Sequence, residues 1–320
     1  MSSKSSTDPS PESEGADPRK KSRLPPLLSA LRPKQWTKNV LLFAGLLFTL
    51  GQPLDHARNL LQALTAFFLF CLLSGSTYLV NDILDVEADR QHPRKCERAI
   101  AAGKLSIPNA WLFAAIGIVG TLIAAFSLNL KFGFAALTYL VLTLSYSFQL
   151  KHVVLVDVLT LASLFVVRAA AGAFVINVRV SEWLLMCTLL LALFLGLAKR
   201  RGELAAQGEK PTTRKILAEY SIPMLDQLIT IVASTTIMAY TLYAFFSTNA
   251  VGGPDAPGVK RPYLMATIPF VVYGIFRYLY LSHKKGIGES PESALLEDRP
   301  LLVNVGLFVL VAAAAMALSR

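Results

Sequence analysis

Charged residues and cysteines are both scarce in this chain. Charged side chains make up 16% of the 320 residues and hydrophobic ones 54%, and the mean hydropathy is +0.51. A soluble chain of this length exposes too much surface for that balance, which excludes an ordinary soluble domain. The three cysteines, Cys71, Cys96 and Cys187, have no metal-like spacing, and two of them lie in apolar runs. This pattern excludes a disulfide framework and a zinc site.

Long apolar runs recur through the chain after a polar beginning. Residues 1–24 are rich in Ser, Pro, Glu and Lys and contain no aromatic residue, which predicts a disordered cytoplasmic tail rather than a signal peptide. We expect residues 25–320 to form a single all-α, polytopic membrane domain of about nine transmembrane helices. The predicted spans are 36–52, 58–81, 108–127, 132–148, 153–176, 182–198, 225–247, 262–282 and 300–318.

Basic residues are distributed unequally between the two sides of these spans. With the N-terminus on the cytoplasmic side, 24 of the 31 Lys and Arg residues are cytoplasmic and six lie opposite, while Arg168 is within a span. This bias is typical of a protein of the cell (inner) membrane whose polar loops face the cytoplasm. The net charge of +10 is explained by membrane lipid and by the site below, so no nucleic acid partner is expected. A homo-oligomer is compatible with the sequence.

An acidic cluster ends the second predicted span. Asp82, Asp85 and Asp89 fall within a sector of about 60° on a helix with 100° per residue. Three carboxylates on one face repel each other, and they lie at the negative end of the helix dipole. A hard cation would relieve this repulsion, and oxygen ligands favour Mg²⁺, which often completes its shell with substrate phosphates. The predicted metal ligands are these three carboxylates and Asn81.

A solvated acidic turn is the alternative interpretation of this cluster. The basic residues Arg90, Arg94, Lys95 and Arg98 follow closely, and they would balance the carboxylates without a metal. The position at a membrane boundary, directly before a dense basic run, favours binding of a metal-bound diphosphate.

The residues from Asn81 to Gly103 resemble a known signature. The acidic run reads Asn-Asp-x-x-Asp-x-x-x-Asp, and the pattern continues through Arg90, His92, Pro93, Lys95, Arg98, Ile100, Ala101 and Gly103. This pattern is similar to the first signature of the UbiA superfamily of membrane prenyltransferases. The resemblance covers nearly the whole chain from Leu31 and implies nine helices with cytoplasmic catalytic loops.

Three further stretches resemble one branch of this superfamily. They are residues 32–39, 197–203 and 276–280, the last together with 298–300. They are similar to the decaprenyl-phosphate phosphoribosyltransferase branch, in which 5-phosphoribosyl 1-diphosphate is the donor and a polyprenyl phosphate is the acceptor. The resemblance implies a pentosyltransferase that releases diphosphate and whose product serves cell-envelope biogenesis.

The number of phosphate groups in these substrates supports the same branch. Such an enzyme must hold a diphosphate, a 5-phosphate and a lipid phosphate, and Lys and Arg suit the last two. Ordinary positive-inside charge is the alternative for any single lysine. The residues expected to bind substrate are Lys34, Lys38, Asn81, Arg90, Lys95, Arg98, Tyr146, Lys151, Arg168, Lys199, Arg200 and Arg277.

Asp157 completes the predicted catalytic set with the three aspartates of the acidic cluster. Aromatic prenyltransferases of the superfamily have paired aspartates in this region, whereas this chain has Asp157 alone, shortly after Lys151 and His152. We expect a second metal or ribose contact, and a partner of the helix dipole is the alternative. Arg168 lies about 16 Å deeper on nearly the same helix face. It is expected either to anchor helix packing or to contact substrate.

Two departures from the branch and two rival functions remain. The chain has Ala99 where the branch has proline, and Cys96 where a basic residue is usual, so phosphate binding by this loop is expected to differ.

One rival function is that of an aromatic or quinone-precursor prenyltransferase, which the missing aspartate pair disfavours. The other is a transporter, in which ionisable residues usually lie at the bilayer midplane.

Overall fold

The structure, a computed structural model, describes most of the chain beyond the tail. The described residues are 25–49, 55–92, 95–178, 180, 182–207, 215–246, 248–249, 259–260, 262–284 and 297–318. The predicted tail, residues 1–24, lies outside them.

Helices make up nearly all of the described chain. The α-helices are α1 Pro26–Ala30, α2 Ala44–Thr49, α3 His56–Leu84, α4 Val86–Gln91, α5 Ile107–Leu128, α6 Leu130–Phe148, α7 Val156–Val175, α8 Glu182–Gln207, α9 Ile222–Phe246, α10 Ile268–Lys284 and α11 Arg299–Leu318. The 3-10 helices are Pro33–Phe43, Lys95–Glu97, Leu150–His152, Lys215–Glu219 and Pro262–Thr267. A two-residue antiparallel ladder pairs β1, Thr248–Asn249, with β2, Val259–Lys260.

The all-α polytopic class predicted from the sequence is confirmed. Among the described residues, eight helices are long and apolar enough to cross a membrane: 56–84, 107–128, 130–148, 156–175, 182–206, 222–246, 263–283 and 299–318. The predicted count of nine was approximate, because the first predicted span, 36–52, is not one of these eight. Its described part is the 3-10 helix Pro33–Phe43 followed by the short helix α2, and the polar residues from Lys34 to Asn39 keep its beginning from being apolar.

Polar side chains cap the beginnings of two of the long helices. The carboxylate of Asp55 accepts a hydrogen bond from the Arg58 amide at the start of α3. The side chain of Asn129 accepts from two amides at the start of α6. Such caps satisfy amides that have no partner within the helix. They matter at a membrane boundary, where an unpaired polar group is costly.

Two helices extend further than the sequence predicted, and both extensions carry predicted site residues. Helix α3 continues to Leu84, so Asp82 belongs to the helix itself. Helix α8 continues to Gln207, so Lys199 and Arg200 lie on a helix and not in a loop. Their side chains therefore have the fixed directions that a helix imposes.

The buried apolar side chains form two main groups. One lies between α3, α5, α6 and α7 and includes Phe70, Phe132 and Leu164. The other lies between α8, α9 and α10 and includes Phe194 and Leu225. Large apolar side chains elsewhere on the spans are exposed, as expected for surfaces that face lipid. A smaller group around the end of α3, which includes Ile83 and Ile100, lies beside the acidic cluster.

Candidate active site

Asp82 and Asp89 converge on one basic side chain. Nη1 of Arg98 donates to Oδ1 of Asp82 at 3.1 Å and to Oδ2 of Asp89 at 2.5 Å. Nζ of Lys95 lies 3.8 Å from the other oxygen of Asp89. Both carboxylates are buried, whereas a quarter of the Arg98 side chain is exposed. Asp82 and Asp89 therefore share one partner, but the predicted single face of three aspartates is wrong for Asp85, because α3 ends before it and Asp89 belongs to α4.

Asp85 is directed toward a different partner. Nζ of Lys151 donates to Oδ1 of Asp85 at 3.0 Å, and the Asn81 amide donates to Oδ2 at 3.1 Å. Lys151 belongs to the turn between α6 and α7. This ion pair therefore connects the end of α3 to the turn between α6 and α7. With 32% of its side chain exposed, Asp85 is the most accessible of the three aspartates.

Arg32 is a member of this site that the sequence analysis did not select. Its Nη2 donates to Oδ1 of Asp82, the oxygen that Arg98 also contacts. Its guanidinium also lies 4.8 Å from the ring centre of Tyr78, a cation–π contact. Arg32 begins the stretch 32–39 that resembles the phosphoribosyltransferase branch, but nothing in the sequence connects it to an aspartate 50 positions later.

The backbone after α3 brings the basic residues back to the acidic ones. Asp85 has φ −95° and ψ 8°, which separates α3 from α4 while the amide of Asp89 still donates to the Asp85 carbonyl at 2.8 Å. After α4 the chain turns, and the amide of Lys95 donates to Nδ1 of His92. A further turn ends at Gly103, whose φ of 71° suits glycine. The Arg98 side chain thereby returns to Asp82 on α3 and to Asp89 on α4.

The donors of this cluster fit a hard divalent cation, although they are not gathered around a single point. Among the described residues, no three Asp, Glu, His or Cys side chains are arranged to hold a metal ion. Each carboxylate is instead paired with basic side chains. The oxygens of Asp82 and Asp89 already converge on one cationic nitrogen. Carboxylate and amide oxygens are the ligands that Mg²⁺ prefers.

Asp157 lies in a separate and fully buried centre. Its side chain has no exposed surface. Oδ2 accepts from Nε of Arg200 and Oδ1 accepts from the Tyr220 hydroxyl, both at 2.8 Å. Arg200 also donates to Glu203 at 2.8 Å. Both oxygens of the predicted metal or ribose contact are thus engaged, and Arg200, a predicted phosphate ligand, is 3% exposed.

Tyr220 connects this buried centre to the start of α7. Its hydroxyl accepts from the Leu155 amide at 2.7 Å and donates to Asp157. Burial raises the pKa of the Tyr220 phenol to about 12; the hydrogen bond from Leu155 opposes this shift, and the bond to Asp157 adds to it. The phenol therefore remains a donor throughout the physiological range. Leu155 has a positive φ of 65°, so the hydroxyl holds an unusual backbone conformation in place.

Arg168 faces the protein interior. It is 4% exposed, and it donates to Asn39 Oδ1 at 2.8 Å and to the Tyr139 hydroxyl at 2.9 Å. A third bond joins it to the Leu164 carbonyl at 3.1 Å. These contacts and the burial of the side chain fit the predicted packing anchor, and contact with substrate stays a prediction.

The remaining predicted residues are dispersed. Arg277 forms a bidentate pair with Asp298, at 3.1 and 2.9 Å, and this links α10 to α11. Arg90 is exposed and donates to Glu87. Tyr146 lies close enough to Arg200 to interact electrostatically. Lys34 is exposed, and Lys38 and Lys199 are partly exposed. The structure therefore brings together Asn81, Asp82, Asp85, Asp89, Lys95, Arg98 and Lys151, with Arg32 added.

The fold and this cluster define an integral membrane protein with a carboxylate centre, lined by Arg and Lys, at one end of its helices. A family model described as the UbiA prenyltransferase family matches residues 39–296. The chain belongs to this family.

Similar proteins extend over almost the whole chain. The decaprenyl-phosphate phosphoribosyltransferase of Mycolicibacterium smegmatis is 34% identical over 87% of this chain and 88% of its own. The protein of the same name from Mycobacterium tuberculosis is 33% identical over 91% and 94%. A UbiA homolog from Archaeoglobus fulgidus, solved with bound GPP and Mg²⁺, has a TM-score of 0.65 and covers 91% of this chain and 99% of that chain. At 17% identity, this last likeness shows the shared fold alone.

Proposed function

We propose that this protein transfers 5-phosphoribose from 5-phosphoribosyl 1-diphosphate to a polyprenyl phosphate of the decaprenyl type and releases diphosphate. The observation that carries the proposal is the identity of 33–34% to decaprenyl-phosphate phosphoribosyltransferases over about nine tenths of the chain. The cluster at the end of α3 supports it, since it combines carboxylates for a metal with basic groups for phosphates.

The metal would be held by the acidic cluster. Asp82, Asp85 and Asp89 would supply carboxylate oxygens, and Asn81 would supply its amide oxygen. When bound, Mg²⁺ would neutralise the diphosphate leaving group. The solved homolog with Mg²⁺ supports a divalent metal in this fold.

Basic side chains beside the acidic cluster would hold the phosphates. Arg98, Lys95 and Lys151 all contact these aspartates and are all 21–33% exposed. They would be accessible to a phosphate entering from the surface. Arg and Lys form strong charge-assisted hydrogen bonds with phosphate oxygens.

The transfer itself needs little proton chemistry. The lipid phosphate is already an anion at neutral pH, so no strong general base is required. One of its oxygens would form a bond to C1 of ribose while the bond from C1 to the diphosphate oxygen breaks, with the electron pair leaving on diphosphate. Positive charge developing on C1 and the ring oxygen would be stabilised by the nearby carboxylates.

Orientation and assembly complete the proposal. The excess of Lys and Arg on one side favours a cytoplasmic N-terminus and a cytoplasmic active site in the inner membrane. That side is where a water-soluble phosphorylated sugar would be available. Residues 25–320 would form one catalytic domain, in a protein that could assemble as a homo-oligomer.

A labelled donor tests the assignment. Purified protein is incubated with 5-phosphoribosyl 1-diphosphate labelled in the ribose and with polyprenyl phosphate, with and without Mg²⁺, and the lipid phase is counted. We expect label in the lipid that depends on both acceptor and metal. No transfer of ribose, together with transfer from a prenyl diphosphate to an aromatic acceptor, would instead identify an aromatic prenyltransferase.

A further inference from the structure

Arg32 has a contact and a backbone conformation that the proposed function does not use. We propose that Arg32 neutralises Asp82 when no metal is bound, and that it moves to a substrate phosphate when a metal-bound diphosphate takes that carboxylate. This inference rests on the proposed function, and it makes Arg32 a phosphate-binding residue as well as a competitor of the metal.

The charge of the cluster favours such an exchange. Four basic side chains contact its three carboxylates, so the contacting groups carry one surplus positive charge. Arg32 and Arg98 share a single oxygen of Asp82, where two guanidinium groups repel each other. A metal ion on Asp82 would displace one of them, and the phosphates that accompany the metal would offer it new acceptors.

Arg32 is better suited to leave than Arg98. Arg98 bridges two aspartates, so its departure would break two ion pairs. Among the carboxylates that the structure describes, Arg32 pairs with Asp82 alone, and 24% of its side chain is exposed. The Tyr78 ring, 4.8 Å away, provides a surface along which the guanidinium keeps a favourable contact as it moves.

Hydrogen bonding and packing fix the backbone around Arg32, whereas its side chain could exchange Asp82 for a phosphate. Its φ of 52° and ψ of 64° lie in the left-handed region, which is uncommon for a residue of this size. The carbonyl of Arg32 accepts from the Gln35 amide at 2.8 Å. The preceding residue, Leu31, packs closely against Gly75. A Cβ atom added to Gly75 would lie 2.8 Å from Leu31 Cδ2. Strained conformations held in this way are concentrated at functional sites.

Binding measurements on Arg32→Asn test the exchange, because asparagine tolerates the left-handed conformation. Mn²⁺ serves as the metal probe, since it accepts the same oxygen ligands as Mg²⁺ and its binding is followed by electron paramagnetic resonance. Without phosphate, we expect the variant to bind Mn²⁺ about threefold more tightly, because a competing ion pair is lost. With Mn²⁺ present, we expect it to bind a phosphate ligand about tenfold more weakly.

Two phosphate probes, inorganic diphosphate and farnesyl phosphate, identify the group that Arg32 contacts. Weaker binding of either probe, with tighter Mn²⁺ binding, supports the exchange and assigns Arg32 to the donor or to the lipid phosphate. Arg32→Lys keeps the charge and should leave Mn²⁺ affinity within about twofold of the unmodified protein, since the competing cation remains. Arg58→Asn is the matched control, because Arg58 lies at the opposite end of α3 and should change neither affinity.

Three results separate the possible failures. If the unmodified protein binds no Mn²⁺ even with diphosphate present, the proposed function fails at its metal, and the exchange fails with it. If it binds Mn²⁺ but Arg32→Asn leaves both affinities unchanged, the exchange is overturned and the proposed function stands. If the variant weakens both affinities, Arg32 has only a structural role, which also overturns the exchange.

Discussion

Two Asp–Arg centres in this protein use the same chemical groups but differ in how far their basic side chains are exposed. At the end of α3, the cations that contact Asp82, Asp85 and Asp89 are between 21% and 33% exposed. In the centre around Asp157, Arg200 is 3% exposed and the carboxylate is not exposed at all. The first centre is therefore accessible from the surface, whereas the second is enclosed by α7, α8 and the turn that carries Tyr220.

The difference in exposure separates residues that exchange partners from residues that hold the fold. A buried ion pair leaves an uncompensated charge when one partner is removed. A partly exposed pair can be replaced by water, metal or phosphate at little cost in stability. We therefore expect substitution of Asp85, the accessible aspartate of the acidic cluster, to affect activity and substitutions around Asp157 to affect stability first.

Asp85→Ala should have the largest effect and should separate activity from stability. We expect ribose transfer to fall by about three orders of magnitude, as losses of this size follow removal of groups that act only in the transition state. The free energy of unfolding should change by less than about 1 kcal/mol, because the Asp85–Lys151 pair is partly exposed. Labelled transfer and thermal unfolding in the same detergent measure the two quantities. Full activity in the variant would refute the assignment of Asp85 to the metal.

Asp157→Ala should show the opposite pattern. Removing this carboxylate leaves Arg200 buried with one acidic partner fewer, which we expect to lower the free energy of unfolding by about 3–5 kcal/mol. Thermal unfolding checks this value, and the double variant Asp157→Ala with Arg200→Leu should recover part of the loss. If Asp157→Ala is as stable as the unmodified protein but inactive, Asp157 belongs to the catalytic set, as the sequence analysis predicted.

Tyr220→Phe should have the smallest effect of the three and should sharpen the description of the buried centre. Loss of its hydroxyl should lower stability by about 1–3 kcal/mol, because the bonds to Asp157 and to the Leu155 amide are both lost. The pKa of the phenol is raised from 10.0 to about 12, so its contribution to stability is complete below pH 10. That contribution is lost as the pH rises toward about 12.

Unfolding measured between pH 8 and 11.5 therefore checks the role of Tyr220. The stability difference between the unmodified protein and Tyr220→Phe should narrow above pH 10. A constant difference over this range would mean that ionisation of the phenol is not coupled to folding.

The sequence predicted the membrane class and the acidic cluster for clear physical reasons. Long apolar runs can only be helices in a bilayer, so the spans were found to within a few residues apart from the first span and the end of the sixth. Asp82 and Asp89 do share a partner, Arg98, although the break between α3 and α4 at Asp85 was not predicted and directs Asp85 to Lys151 instead. The extent of α8 was missed because Lys199 and Arg200 were interpreted as loop charge, although basic residues are compatible with a helix that continues beyond the apolar layer.

Contacts between distant residues could not be predicted from local patterns. Arg32 and Asp82 are 50 positions apart, and Tyr220 and Asp157 are 63 apart. No spacing rule connects such residues, because their contact depends on how the helices pack. For the same reason Asp157 and Arg200 were assigned to substrate, while their mutual contact depends on the packing of α7 against α8.

The length of α3 determines the depth at which the reaction would take place. Its 29 residues rise about 43 Å, whereas the hydrocarbon layer of a bilayer is about 30 Å thick. Since Asn81 and Asp82 belong to its last turn, that end of α3 would extend into the zone of the lipid headgroups, where the phosphate of the proposed lipid-linked acceptor would lie. The acceptor would keep its chain among the other lipids throughout the reaction, and only the sugar donor would have to approach from water.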